Sequence, residues 1–186
     1  TADATVKIIP INDLLVEVTQ ATGLSIAPGE TKDLHYVGTV TTPTRVISLF
    51  GHRHAWTTNF SAWIEEAGKP EELIYQSFGW LDEPTYRYDS LEMNPAPAPD
   101  KLTDGATSGL RMLSPGQKLH YNCHIEYTQE RATQEKYQFP TKGVTVRFSN
   151  QAFEGEMCLL FGSASGASLP PFAGATGPVP AFATID

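Results

Sequence analysis

The chain has 186 residues, 40% hydrophobic and 18% charged, enough for one well-filled core and too apolar for a disordered segment. Its net charge is −8, with Lys and Arg scattered rather than gathered in a stripe, which argues against nucleic-acid partners. No run of about 18 apolar residues occurs, so no transmembrane segment is expected.

The chain opens at Thr1-Ala2-Asp3 without an initiator Met and is expected to be a mature or trimmed piece. Val6 to Ile9 and Leu14 to Val18 read as the first strands, broken near Asn12-Asp13. Pro28-Gly29 is a turn signal leading into a strand through Leu34-His35-Tyr36-Val37, and Arg45 to Phe50 follows the Thr-Pro-Thr break. His54 to Glu66 and Glu71 to Trp80 read as a hairpin joined through Ala67-Gly68-Lys69-Pro70, and Tyr86-Arg87-Tyr88 as a short strand. Residues 93–107 form a Pro-rich surface loop. Strands resume at Gly109 to Leu113, Lys118 to Thr128, Val144 to Phe148 and Met157 to Gly162, ahead of a tail from Ser163 to Asp186 rich in Gly, Ala and Pro.

Gly and Pro number 15 and 14 and fall between these short runs, which suits frequent turns. About ten strands with turns at this interval predict an all-β fold, an antiparallel two-sheet β-sandwich of jelly-roll-like form, with residues 1–186 as a single domain. The core is expected to include Trp63, Phe78, Val146, Phe148 and Leu160. There is one internal echo: Pro28-Gly29 to His35-Tyr36 matches Pro115-Gly116 to His120-Tyr121, a turn followed by a strand.

Gly51-His52-Arg53-His54-Ala55-Trp56 carries the sharpest local chemistry. Residues i and i+2 of a strand share a face, so both imidazoles project together while Arg53 points away, a spacing that suits two nitrogen ligands on one metal. Gly155-Glu156-Met157-Cys158 is the second feature, with Met157 and Cys158 on opposite faces. Met157 on its own reads as a core gap-filler, the usual role of a methionine. Cys123 and Cys158 are the two cysteines; composition leaves open two buried thiols or one disulfide. Asp82-Glu83 with Asp89 reads as a solvated turn rather than a Ca²⁺ site, since no Gly-punctuated ligand loop surrounds it. Trp56, Trp63, Phe78 and Trp80 read as core and sheet-face packing.

The His-x-His strand, the Tyr-Asn-Cys123 strand and the Glu-Met157-Cys158 strand, in that order, resemble the C-terminal domain of the copper type II, ascorbate-dependent monooxygenases. Peptidylglycine α-hydroxylating monooxygenase and dopamine β-monooxygenase are members of that family. The resemblance spans about Pro28 to Gly162 and implies that His52, His54 and Met157 hold one copper ion and that Cys123 and Cys158 form a disulfide. It implies a secreted, periplasmic or cell-surface protein that hydroxylates a C–H bond of a small-molecule or peptide substrate with O2. Electrons would come from a reductant or a companion domain outside this chain. Phe50 and Phe161 stand where the peptide-hydroxylating member grips its substrate carboxylate with Arg and Tyr. They would line a substrate pocket without a polar clamp, and peptide amidation is not expected. The alternative is a non-catalytic extracellular copper-binding or structural module.

Overall fold

The computed structural model describes residues 12–15, 24–78, 86–87, 111–128, 144–149, 155–166 and 172–182. The predicted strand at Val6 to Ile9, the Pro-rich loop at 93–107, Trp80 and the Asp82, Glu83 and Asp89 turn lie outside these residues. Among the described residues every regular element is a strand. No helix there is long and apolar enough to cross a membrane.

The strands are β1 (Asn12–Leu15), β2 (Ser25–Ile26), β3 (Thr31–Thr39), β4 (Thr44–Arg53), β5 (Thr57–Glu65) and β6 (Glu72–Phe78). They continue as β7 (Tyr86–Arg87), β8 (Arg111–Leu113), β9 (Lys118–Glu126), β10 (Val146–Arg147), β11 (Cys158–Gly166) and β12 (Ala173–Gly174). A first sheet runs β1-β11-β4-β7, with β8 also on β4, and a second runs β12-β3-β9-β5-β6. β10 pairs with β2 as a separate ribbon. Neighbouring strands are antiparallel throughout, and the two large sheets form a β-sandwich.

Alternation builds the core. Phe60, Ala62 and Ile64 of β5 and Leu119, Tyr121, Cys123 and Ile125 of β9 turn inward, as do Val46 and Leu49 of β4 and Leu160 of β11, all at most 2% exposed. Each large side chain among them contributes about 1.5–3 kcal/mol by leaving water. Val146 and Leu160 are core residues as expected, and Phe148 packs against the core's margin. Phe78 is not a core residue. It pairs with Asn59 on the outer face of the second sheet, at the end of β6, and is 48% exposed. Trp63 is buried, yet on that same outer face, stacked on His120 with ring centroids 5.0 Å apart and covered by Phe182.

The turns fall where Gly marks them: Gly29, Gly68 and Gly116 have φ of 86°, 78° and 92°, a region an L side chain rarely adopts. The echoed segments become neighbours. β3 and β9 pair with Tyr36 opposite Tyr121, the two rings stacking at 5.0 Å. Each Pro-Gly turn docks on the end of the other strand, Gly29 N–H donating to Tyr127 C=O and Gly116 N–H to Val40 C=O. The repeated turn-and-strand sequence thus encodes a locally two-fold hairpin-like pair.

On the outer face of this sheet His35 and His120 form a hydrogen-bonded series with Glu65, Nε2 of His35 to Nδ1 of His120 at 2.9 Å and Nε2 of His120 to Glu65 at 3.0 Å. Neutral rings satisfy it: His120 donates to the carboxylate and accepts from His35, whose buried Nδ1 has no partner. A further proton would need an acceptor that this series lacks. Burial lowers both imidazoles from 6.5. Asp33 pulls His35 back up, while for His120 the charge of His35 adds to the lowering and Glu65 opposes it. The unfolded chain therefore takes up these protons before the fold does. Stability is fully present above about pH 6.5 and lost as pH falls through the lower folded values. Urea midpoints from pH 7.5 to 5 should fall accordingly, and the fall should shrink in His35→Gln/His120→Gln; an equally steep fall in that variant would remove the assignment.

Candidate metal centre

Strand β4 delivers the predicted pair differently from a simple strand. His52 lies within β4, whereas His54 sits one residue past its end, where the chain turns through Ala55-Trp56 into β5. The rings still converge, their centroids 5.4 Å apart and planes at 87°. Two imidazoles bound to one ion at about 2.0–2.1 Å place their centroids about 5–5.5 Å apart when the ligand–metal–ligand angle is near tetrahedral to trigonal. The pair fits that requirement.

β11 brings the third residue. Its register with β4 sets Phe161 opposite Phe50, Leu159 opposite His52 and Cys158 opposite Arg53. His54 and Met157 both lie just beyond that register, and their backbone N–H groups meet at Glu156 Oε1. Met157 is 9% exposed and His54 2%. Two nitrogens and a thioether are the donors that the resemblance implies, a combination that suits a soft or borderline ion such as copper. Among the described residues no group of three or more His, Cys, Asp or Glu side chains could hold a metal ion.

His54 is held in one orientation. Its Nδ1 lies 2.8 Å from the Gly155 C=O, which can only accept, so Nδ1 carries the proton and Nε2 is the unprotonated nitrogen. Gly155 is required by close approach, since a Cβ there would collide with the Arg147 C=O and with Ser149. Gly51 has the same role beneath the histidines, where a Cβ would come within 2.5 Å of the Phe60 ring.

Glu156 is the organising residue that the sequence reading did not assign. It is fully buried, and its carboxylate accepts four backbone N–H groups. Oε1 accepts from His54 and, at 2.9 Å, from Met157; Oε2 accepts from Trp56 at 2.9 Å and Thr57 at 3.0 Å. One side chain thereby fixes the turn carrying His54 against the segment carrying Met157. Complete burial pushes its carboxyl up to about 7, the four N–H groups pulling the other way. The available signal was a lone acid ahead of the apolar run Met157 to Phe161, since an acid enters a core only with partners.

Arg53, pointing inward as the alternation required, is 1% exposed; it donates from Nη1 to the Gly51 C=O at 3.0 Å and lies 6.0 Å above the Phe60 ring. Cys123 of β9 and Cys158 of β11 are disulfide-bonded, joining the two sheets directly behind the site. Phe50 and Phe161 stack at 5.1 Å, and His52 meets the edge of Phe161 at 5.9 Å. His124 is remote from all of this, on the outer face of the second sheet, 3.0 Å from Asp33. No protein-family model matches the chain, and no curated protein matches it closely enough to count as a relative.

Proposed function

We propose that this chain is a secreted, periplasmic or cell-surface copper-binding domain of the monooxygenase-like type, holding one ion through His52, His54 and Met157. The observation that carries this reading is the His52–His54 geometry, two imidazoles 5.4 Å apart with the tautomer of His54 fixed by Gly155. The Cys123–Cys158 disulfide supports an oxidising compartment. Bound copper supplies a one-electron couple and an open position for O2. The chain's own residues do the rest. Glu156 holds the ligand-bearing backbone, Met157 biases the site toward the reduced ion, and the Phe50–Phe161 pair gives an apolar floor that excludes water and selects an apolar C–H substrate. A small-molecule reductant, or a companion domain, delivers the electrons.

A second reading, copper holding without turnover, is favoured by the placement of the other histidines. His35, His120 and His124 lie on the opposite sheet, committed to one another, to Glu65 and to Asp33. Titration with Cu(I) and Cu(II) against competing chelators tests the shared part. One ion should bind; His52→Ala and His54→Ala should each weaken it at least about 100-fold, because too few donors then remain. Met157→Ala should cost about tenfold for Cu(I) and less for Cu(II), since a thioether prefers the softer ion. Wild-type affinity in both histidine variants would sink the proposal. Oxygen uptake with ascorbate then separates the two readings.

A further inference from the structure

The second sheet carries a polar cleft on its outer face that the copper reading does not use. Register lines up His35, Asn122, Ser61 and Gln76 across β3, β9, β5 and β6, with Asp33, His124 and Asn59 in the adjoining row. The outer face of an antiparallel sheet is ordinarily solvated, and polar residues there are unremarked. Here Asn122, Ser61 and Gln76 are only 3%, 4% and 5% exposed. Together with Val179, Pro180 and Phe182 of the C-terminal segment they bound a cavity of about 230 Å³.

Its wall is prepared for hydrogen bonding. Asp33 Oδ1 accepts from Asn122 Nδ2 at 2.8 Å and from His124 Nδ1 at 3.0 Å. That contact fixes the Asn122 amide, because reversing it would set its oxygen against a carboxylate. Asn122 Oδ1 is therefore a true acceptor, buried without a partner, and Asn59 Oδ1 is buried without one as well. Both oxygens sit behind the accessible surface and make the wall polar, while the groups that a ligand meets directly are the more exposed Asp33 and His124.

We infer that this cleft binds a small neutral polyol, one sugar ring or the terminal residue of a glycan. The lining contains no Lys or Arg, which disfavours an anion, and a single carboxylate, which is too little for a hard cation. Hydroxyls both donate and accept, matching a wall of amides, Ser61 and a carboxylate. The C–H faces of a sugar ring would lie against Pro180 and Phe182. The cavity is smaller than the about 300–1,000 Å³ of drug-sized pockets, which limits the occupant to about one ring. This inference stands apart from the copper site, which lies on the other sheet.

Saturation-transfer NMR on the full chain tests it, with methyl glycosides of glucose, galactose, mannose and N-acetylglucosamine as probes and methylammonium as the cation control. At least one glycoside should receive saturation at millimolar concentration and shift the Asn122 and Asn59 side-chain amide signals. Asp33→Ala should weaken that binding about tenfold or more, and Phe182→Ala should weaken it independently, while His52→Ala leaves it unchanged. The amide spectrum of each variant confirms that it is folded. Silence from all four glycosides, binding of methylammonium in their place, or unaltered glycoside binding in both cleft variants would each overturn the inference.

Discussion

Glu156→Gln should lower stability by about 2–4 kcal/mol, a large effect for a change of one atom. The carboxylate presents two oxygens to four N–H groups, those of His54, Trp56, Thr57 and Met157. An amide keeps one oxygen and turns its NH2 toward two donors, so two buried N–H groups lose their acceptor and meet a like dipole. Urea unfolding at about pH 8.5, above the raised carboxyl value of about 7, measures the loss directly. The same variant should weaken the proposed copper binding, because the turn at His54 is no longer tied to the Met157 segment. A stability within a few tenths of wild type would mean that the clamp is dispensable and that packing of Trp56 against Tyr127, their rings 4.2 Å apart, holds the turn instead.

Replacing both cysteines by Ala should cost about 4 kcal/mol by the chain-entropy model, through freedom returned to the unfolded chain. The closed loop spans a sequence separation of 35, with Cα atoms 5.9 Å apart. Since the bridge runs between β9 and β11, its loss also removes the one covalent tie between sheets recorded among the described residues. Comparing denaturant midpoints of the oxidised wild type and the double variant reads this effect. Equal midpoints would show that the bridge contributes no net stability.

Much of the fold was legible because strand alternation and turn chemistry are local. Pro28-Gly29, Gly68 and Pro115-Gly116 needed only the φ > 0 tolerance of glycine to be placed, and each sits at the turn expected. The sequence also located His52 and His54 as a pair. What it lacked was the identity of each face's cover. Period-2 alternation puts Trp63 and Phe78 on one side of a sheet but does not say which side is the core. Trp63 is buried there against His35 and His120 with Phe182, more than a hundred residues later, lying over it, and Phe78 lies open. Glu156 escaped for a related reason. Its partners are N–H groups of a turn about a hundred positions earlier, and backbone groups leave no trace in residue type. The β3–β9 pairing shows the converse, an echo in sequence that became a contact in space.

The Glu156 clamp has an evolutionary corollary. It grips main chain alone, so it is indifferent to which side chains residues 54, 56, 57 and 157 carry. Mutations at 54 and 157, the proposed ligand positions, can therefore change the side chain without dismantling the scaffold that carries it. A carboxylate at 157 would draw the site toward harder ions, and an imidazole there toward zinc or oxidised copper. Lineages sharing this framework could change metal within a single substitution, provided the acid at 156 is kept. In a set of such proteins positions 54 and 157 would vary while the acid at 156 stays fixed.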